Sequence, residues 1–354
     1  MNSNVIFKST DRILLTSDIH FENNKNLPNI IKTCNWISTI AEKEKTNYII
    51  IAGDFINSRE KIDSLMLNKA IETLNLFNKT SKVILLLGNH EKYTKAENFD
   101  ITSIRPFEKH SVVVDRFKIF DGETLYLYMI PYIESPVLFD EIVKTIYSTF
   151  PTDNKKKILI AHQEFRGAIT NDLFHIHNTN GIEYSVVDKF DIVISGHYHR
   201  YQTLSDKITY LGSPLQLTFG EEGSDKGIMV MDCSDCSTKF IKNPYYECYK
   251  TVVSTDEDVK DKFVRFWTDN LIDDIEREEV KKKLVQNGAL DVRIEVKARN
   301  IRELDSKEDS KGIDLKELTR QYIKLNCGDL DENKLFEIGA GVKRTLKEKL
   351  LNDN

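Results

Sequence analysis

The sequence lacks the features of a membrane or secreted protein. No apolar run reaches the roughly 18 residues that a membrane-spanning helix needs, so no transmembrane helix is expected. The N-terminus, Met1 to Asp11, has no apolar segment of the kind found in a secretory signal. Cysteine is scarce, and five widely spaced residues, an odd number, do not form a disulfide framework. A reducing compartment is favoured, so we expect a cytoplasmic protein without membrane contact.

Basic residues are fewer than acidic ones. Lysine and arginine total 50 against 56 aspartate and glutamate, which gives a net charge of −6. This disfavours a broad basic face that wraps DNA. Two divalent cations bound at one place would reverse the local charge, so a nucleic-acid substrate is not excluded. The length of 354 residues, with 40% hydrophobic and 30% charged residues, predicts a globular protein with one large domain and one or two small ones.

The first two-thirds of the chain alternate between strand and helix patterns. Apolar runs at 13–15, 48–51 and 83–87 predict strands buried on both faces. Residues 28–45 and 61–79 between them have helical apolar spacing, which predicts a parallel sheet with right-handed crossovers. Further strands are expected at 111–114, 124–130, 157–160, 192–195, 208–211 and 228–231. Since no long helix is evident between these, we expect a second, more antiparallel sheet, and hence an α/β fold of two packed sheets flanked by helices.

The composition changes after about Asn243. Residues 249–254, a helical stretch at 256–270 and an alternating strand at 290–298 predict a small α+β unit. Residues 302–311 are charge-dense, as in a linker, and 315–325 and 335–351 predict two final helices. We therefore expect a main domain at 1–243, a small α+β domain at 244–300, a charged linker at 301–313 and C-terminal helices at 314–354.

Polar motifs follow five of the strand-like runs. They are Asp18-Ile19-His20, Gly53-Asp54, Gly88-Asn89-His90-Glu91, Ala161-His162 and Gly196-His197-Tyr198-His199. Ligands gather at the carboxyl ends of parallel strands, and residues two apart on an extended chain point the same way. Each motif alone has an ordinary structural explanation, such as a turn. Together they use five of the eight histidines and predict a site for two cations. Oxygen and imidazole donors without thiolate favour Mn²⁺ or Fe²⁺ over structural zinc.

These motifs resemble those of the calcineurin-like metallophosphoesterases, from about residue 11 to 241. The resemblance implies an αββα sandwich that hydrolyses phosphoesters with two metal ions. It implies that one ion is held by Asp18, His20, Asp54 and His199, and the other by Asp54, Asn89, His162 and His197. His90 is then not a ligand but protonates the leaving oxygen. Glu91 stands where the family often has aspartate and is expected to support His90. Asn57 stands where aspartate or histidine is frequent, and its role is left open.

A second group of motifs lies after the last histidines. Tyr210-Leu211-Gly212-Ser213-Pro214, Phe219-Gly220-Glu221 and Lys226-Gly227 are similar to a stretch of the SbcD-type DNA repair nucleases, including bacteriophage recombination endonuclease subunits. This resemblance implies an Mn²⁺-dependent 3′-to-5′ exonuclease on duplex ends and endonuclease on single strands, acting in recombination and repair. It also implies an SbcC-type coiled-coil ATPase partner docked on the terminal helices, a DNA-capping role for the small domain, and a homodimer through residues 61–79.

Several readings stay open at this point. The apolar stripe of Leu335, Ile338, Val342 and Leu346 would bind a partner or pack on its own chain. His175 and His177 lie in a polar loop that faces DNA or has no role, and the DNA-binding residues are not assigned. A phosphoesterase for small-molecule or phosphoprotein substrates would share every proposed ligand. A non-catalytic scaffold of the same fold should have lost ligands, and none is missing.

Overall fold

The computed structural model describes residues 5–94, 101–171, 176–269 and 272–296. The strands in chain order are β1 (Arg12–Thr16), β2 (Tyr48–Ile51), β3 (Lys82–Leu86), β4 (Val112–Val114), β5 (Lys118–Asp121), β6 (Leu125–Ile130), β7 (Lys156–His162), β8 (Ile169–Asn171), β9 (Ile176–His177), β10 (Ile192–Gly196), β11 (Gln202–Thr203), β12 (Ile208–Tyr210), β13 (Gly227–Asp232), β14 (Thr238–Lys242), β15 (Tyr249–Val252), β16 (Phe263–Thr268) and β17 (Asp291–Val296). The α-helices are α1 (Leu27–Lys43), α2 (Ser64–Phe77), α3 (Pro136–Ser148) and α4 (Asp274–Gln286).

The first sheet contains the early strands predicted from the sequence. Its order is β14-β13-β1-β2-β3-β4, and β1 to β4 are parallel while β13 and β14 complete one side in antiparallel pairing. Helices α1 and α2 are the crossovers between its first three strands, close to the predicted ranges. The side chain of Asp63 caps α2 by accepting the backbone N–H of Met66, which fixes the start of that helix.

The second sheet is largely parallel, so the expectation of a more antiparallel sheet is wrong. Its order is β11-β12-β10-β7-β6-β5, with three parallel pairs at the centre and one antiparallel pair at each edge. The crossover from β6 to β7 is the helix α3, which the sequence analysis missed. The side chain of Ser135 caps this helix by accepting the N–H of Leu138.

Successive residues along a strand point to opposite faces of the sheet, so they pack in two different apolar layers. Leu15, Ile50 and Met129 belong to the core between the two sheets, whereas Leu14 packs in the layer that contains α1 and α2. Helix α3 covers the outer face of the second sheet with Phe139, Val143 and Ile146. Since a fully buried aliphatic or aromatic side chain contributes about 1.5–3 kcal/mol, these layers hold the strand ends firmly. The predicted two-sheet αββα sandwich is confirmed.

A third sheet, in the order β15-β16-β17, lies after the sandwich and is parallel throughout. The helix predicted at 256–270 is wrong, because β16 occupies 263–268 and the helix α4 follows at 274–286. Phe263 to Thr268 is rich in aromatic and β-branched residues, which favour a strand. Residues 297–354 lie outside the described residues, and with them the predicted linker and terminal helices. Among the described residues, no helix is long and apolar enough to cross a membrane.

Candidate metal centre

The predicted ligands all lie at the carboxyl ends of parallel strands. Asp18 and His20 follow β1, Asp54 follows β2, and Asn89 and His90 follow β3 in the first sheet. In the second sheet His162 ends β7, and His197 and His199 follow β10. Backbone bonds run between the first two loops, from the N–H of Asp18 to the Gly53 carbonyl and from that of His20 to the Asp54 carbonyl. The side chain of Asp18 accepts the backbone N–H of His197 at 3.2 Å and so joins the two sheets.

Backbone strain is concentrated in these loops. Asp18, His20, Asp54 and His197 have φ values of 52°, 53°, 50° and 97°, and they are four of the seven described non-glycine residues with positive φ. Each such residue costs on the order of 1–3 kcal/mol and persists only where the surrounding structure imposes it. The fold therefore holds these side chains in place against a local backbone preference, as is typical of functional sites.

Two glycines allow the loops of the two sheets to approach closely. Gly53 has φ +95°, and a Cβ there would lie 2.2 Å from His162 Nδ1. A Cβ on Gly196 would lie 2.0 Å from Ser17 Oγ and 2.4 Å from the carbonyl oxygen of Ala52. Neither position has room for a larger residue.

The variant Gly196→Ala is therefore expected to lose stability and cation binding together. Its methyl group meets the opposite sheet, and we expect the free energy of unfolding in a denaturant titration to fall by about 3 kcal/mol or more, the upper end for overpacked sites. Gly223→Ala is the control, since Gly223 has φ +81° with no atom within 4 Å of its Cβ position. It should lose only about 1–2 kcal/mol from the left-handed backbone. Equal losses in the two variants would contradict the close approach.

Two groups of donor atoms share the carboxylate of Asp54. In the first group, His20 Nε2 lies 3.1 Å from His199 Nε2, 3.6 Å from Asp54 Oδ2 and 3.9 Å from Asp18 Oδ1. In the second, Asn89 Oδ1 lies 3.0 Å from both His162 Nε2 and His197 Nδ1, and His162 Nε2 lies 3.3 Å from Asp54 Oδ2. The seven side chains predicted as ligands thus lie close together, and His90 also lies near His20 and Asp54.

The outward nitrogens of three imidazoles determine which atoms face inward. The carbonyl oxygen of Ala52 lies 2.8 Å from His162 Nδ1, and carboxylate oxygens of Glu221 and Glu164 lie 3.0 Å from His199 Nδ1 and 3.1 Å from His197 Nε2. Oxygens of this kind only accept, so each of these nitrogens carries the proton. The other nitrogen of His162 then faces Asp54 and Asn89, that of His197 faces Asn89, and that of His199 faces His20 Nε2. Imidazole nitrogens and carboxylate and amide oxygens, with no thiolate among them, fit divalent cations with mixed nitrogen and oxygen ligands.

The electrostatics favour an ionised Asp54. Burial opposes its charge, but His162 and His20 beside it lower the pKa of the carboxyl well below its usual range. Burial likewise opposes charge on His162, and the Asp54 carboxylate raises the pKa of that imidazole to about 9. For His20 burial dominates and lowers the pKa to about 4. Asp54 therefore offers a charged two-oxygen group to both halves of the centre.

A cation that occupies these donors should stabilise the fold. At a concentration of 100 times Kd, one bound ion contributes about 2.7 kcal/mol, which corresponds to a rise in Tm of about 5 °C or more. We expect this rise with Mn²⁺ in a thermal melt and its reversal with EDTA. An Asp54→Asn variant should show no rise. An equal rise in that variant would place the bound ion elsewhere.

His90 is supported by Asn57, and the expectation that Glu91 supports it is wrong. Asn57 Oδ1 lies 2.7 Å from His90 Nδ1, and the amide nitrogen of Asn57 donates to Glu22 Oε2 at 3.1 Å. Glu91 is fully buried and accepts the backbone N–H groups of Asp54, Ile56 and Gly88. Burial raises its pKa to about 8, against the opposing effect of those donors. Glu91 therefore fastens the loops after β2 and β3 to each other.

The structure adds side chains that the motifs did not assign. A cavity of about 120 Å³ lies beside the second donor group and is lined by Arg59, Asn89, Lys92, Thr94, Tyr132, Glu134, Glu164 and His197. The ring of Tyr132 stacks on that of His197, with 5.8 Å between centroids and an interplanar angle of 18°. Burial lowers the pKa of His90, Asp54 opposes this shift, and the exposed Arg59 adds to it. His175 lies outside the described residues, and His177 Nδ1 faces the Gly167 carbonyl at 2.9 Å.

A two-sheet αββα sandwich with two donor groups at its strand ends defines the metallophosphoesterase class. The sequence profile of the family described as calcineurin-like phosphoesterase matches residues 11–201, more than half of the chain. The chain therefore belongs to the calcineurin-like phosphoesterase family.

Two of the curated relatives come from invertebrate iridescent viruses. The chain is 26% identical over 219 residues to "Putative phosphoesterase 078R" of Invertebrate iridescent virus 3, covering 59% of each protein. It is 28% identical over 235 residues to "Putative phosphoesterase 244L" of Invertebrate iridescent virus 6, covering 63% of this chain and 77% of that one. The chain thus spans about three-fifths of the first relative's length, and the activity, substrates and partners of the whole protein are matters for proposal.

Two solved structures each match 66% of this chain. One is described as a novel archaeal phosphodiesterase, at 14% identity and a TM-score of 0.36, covering 66% of this chain and 99% of that one. The other is a dimetal phosphatase from Danio rerio, at 9% identity and a TM-score of 0.42, covering 66% and 96%. At these values neither contributes to the assignment of a substrate or a metal.

Proposed function

We propose that the protein is a divalent-cation-dependent phosphodiesterase that cuts DNA, with the exonuclease and endonuclease activities of the SbcD-type nucleases. The observation that carries the hydrolytic part is the convergence of two donor groups on Asp54, with His90 Nε2 3.9 Å from Asp54 Oδ2. Two cations, which we propose to be Mn²⁺, would lower the pKa of water and neutralise charge that develops on the phosphoryl oxygens. They would be held by Asp18, His20, Asp54 and His199, and by Asp54, Asn89, His162 and His197.

The chain supplies the proton for the leaving oxygen through His90. Asn57 Oδ1 accepts the Nδ1–H of His90, which orients the ring with Nε2 towards the donor groups. The His90 side chain is 38% exposed, so a substrate can reach it from solvent. A protonated Nε2 beside the scissile bond donates to the departing oxygen, as a general acid does.

The cleft next to the second donor group favours a substrate with more than one phosphate. Arg59 is exposed and lines it together with Glu134, Glu164 and the mostly buried Lys92, and Arg59 is the residue that offers a positive charge to solvent there. Arginine binds phosphate oxygens through paired N–H groups. A polynucleotide presents a second phosphate one residue from the cleaved one, whereas a small aryl phosphodiester presents none. The guanidinium of Arg59 in this cleft therefore supports DNA over the small-molecule alternative.

The test is digestion of linear duplex DNA by the purified chain with Mn²⁺, repeated with EDTA. Bis(p-nitrophenyl) phosphate has a single phosphate, so its hydrolysis measures the activity of the metal centre without contacts to further phosphates. Turnover of both substrates only with metal supports the proposal. If the aryl diester is hydrolysed while the DNA stays intact, the small-molecule alternative is favoured. If neither substrate is hydrolysed although metal is bound, a non-catalytic scaffold is favoured.

The variant Arg59→Ala is expected to lower the hydrolysis of DNA without changing that of the aryl diester. Loss of a charged hydrogen bond to phosphate costs about 1.5–3 kcal/mol, or roughly 10–100-fold in kcat/KM for DNA. Hydrolysis of the aryl diester should stay unchanged, because it has no second phosphate. Arg12→Ala is the control, because Arg12 begins β1 at the end of the sheet opposite the donor groups, and this variant should alter neither substrate. An equal loss on both substrates would show that Arg59 acts on the centre itself.

The partners are also proposals. We propose an SbcC-type ATPase that binds the C-terminal residues 314–354, and a homodimer through α2, on which Leu65 is 48% exposed. A pull-down with full-length protein and with a truncation after Lys311 tests the first. Equal recovery of the ATPase by both would refute it. Light scattering of the wild type and Leu65→Glu tests the dimer, and an unchanged mass would place the interface elsewhere.

A further inference from the structure

The second sequence motif folds into a buried network behind His199. Glu221 is 6% exposed and Lys226 is fully buried, and their side chains form an ion pair at 2.7 Å. The other carboxylate oxygen, Glu221 Oε1, accepts from His199 Nδ1 at 3.0 Å. Isolated buried charges are costly, so a buried pair that contacts a candidate ligand calls for a functional explanation.

Lys226 is satisfied by three acceptors, the number that an ammonium group can serve. They are Glu221 Oε2 at 2.7 Å, Ser213 Oγ at 3.0 Å and the carbonyl oxygen of His199 at 2.5 Å. The lysine thus holds the backbone of His199 while it holds the carboxylate that binds the ring of the same residue. The backbone carbonyl and the imidazole ring of His199 are therefore both held by the Glu221–Lys226 ion pair.

We propose that Glu221, held by Lys226, is a positioning residue that aims Nε2 of His199 at the first donor group and so sets the affinity of that half of the centre for its cation. The proposal rests on the cation chemistry of the proposed function and not on DNA as the substrate. In the second donor group the carboxylate beside a histidine is that of Glu164, which lies 3.1 Å from His197 Nε2 and whose side chain is 44% exposed. Water can replace a half-exposed carboxylate more easily than a buried one.

The same loop is fastened to the small sheet. The carboxylate of Glu222 accepts from the backbone N–H and the hydroxyl of Thr251 and from Arg265. Gln216 Oε1 accepts the N–H groups of Cys248 and Tyr249, and its amide nitrogen donates to the carbonyl oxygen of Glu221. Neighbouring glutamates therefore serve different ends, since Glu221 faces His199 and Glu222 faces the sheet. This difference supplies a matched control.

The experiment measures Mn²⁺ binding by titration calorimetry without substrate. Glu221→Gln is expected to bind one ion as the wild type does and the other about 10–100-fold more weakly, as is typical when a carboxylate behind a metal-bound histidine is lost. At limiting Mn²⁺ the electron spin resonance signal should change from a coupled pair to an isolated ion. Glu222→Gln should bind both ions with wild-type affinity.

Glu221→Gln leaves the ammonium of Lys226 buried without its counter-ion, which itself destabilises the fold. The double variant Glu221→Gln/Lys226→Met removes both charges, and it decides the matter if the single variant unfolds. A purely structural role for the pair predicts a lower Tm with unchanged affinity for both ions in the folded double variant. That result would overturn the proposal, as would an equal loss of affinity in Glu222→Gln. Failure of DNA digestion alone would affect the proposed substrate and leave this inference standing.

Discussion

Replacing His90 with asparagine is expected to lower kcat for DNA by about 10²–10⁴-fold, the range that a general acid contributes. The ring is oriented by Asn57 Oδ1 at 2.7 Å, with Nε2 3.9 Å from Asp54 Oδ2, and the backbone N–H of His90 donates to Asp54 Oδ1 at 3.0 Å. An asparagine keeps that backbone bond. Both Mn²⁺ ions should therefore bind with wild-type affinity in titration calorimetry, so that the loss is in the chemical step.

The leaving group provides the sharper measurement. An alkoxide from DNA needs a proton as it departs, whereas p-nitrophenolate is stable without one. The deficit of the His90→Asn variant should therefore shrink markedly on bis(p-nitrophenyl) phosphate. His110→Asn is the matched control, because His110 also meets an asparagine carbonyl oxygen, that of Asn75, but precedes β4 at the opposite end of the sheet. An equal deficit on both substrates would show that His90 does not act as the acid.

The convergence of the candidate ligands was predictable from the sequence because parallel strands impose it. Asp54 and His162 are more than a hundred residues apart, but each ends a buried strand, and the carboxyl ends of such strands lie at one edge. Spacing alone could place these residues without any knowledge of loop conformation. The positive φ values of Asp18 and His20 could not be predicted from the sequence, since aspartate and histidine are also common at negative φ.

The supporting contacts were not predictable in the same way. Glu91 adjoins His90 in the sequence, and adjacency suggested support, but the chain turns there and sends the carboxylate into the core. Asn57 reaches His90 from another loop, and no spacing rule connects them. Helix α3 was different, because Ser135, Pro136 and the apolar spacing of Phe139, Val143 and Ile146 are ordinary helix signals. Its omission led directly to the wrong description of the second sheet.

The largest effect is expected for Asp54→Asn. Asp54 Oδ2 lies 3.6 Å from His20 Nε2 and 3.3 Å from His162 Nε2, so one carboxylate oxygen lies beside both donor groups. The amide has a similar shape and keeps a carbonyl oxygen for the N–H of His90, but it carries no charge. Without that charge the histidines of both groups lose their common anion, and affinity for both ions should fall.

The rate should fall with it, by on the order of 10⁴-fold or more, since enzymes of this kind accelerate their reactions by at least about 10⁶-fold and this chain would depend on both ions. Asp18→Asn is the graded control, because Asp18 Oδ1 lies 3.9 Å from His20 Nε2 in the first donor group, while the amide oxygen of the asparagine can still accept the backbone N–H of His197 in the second. Calorimetry would count two ions in the wild type, one in Asp18→Asn and none in Asp54→Asn. A single ion retained by Asp54→Asn, with DNA still digested, would mean that the two groups do not act as one centre and that cleavage needs only one of them.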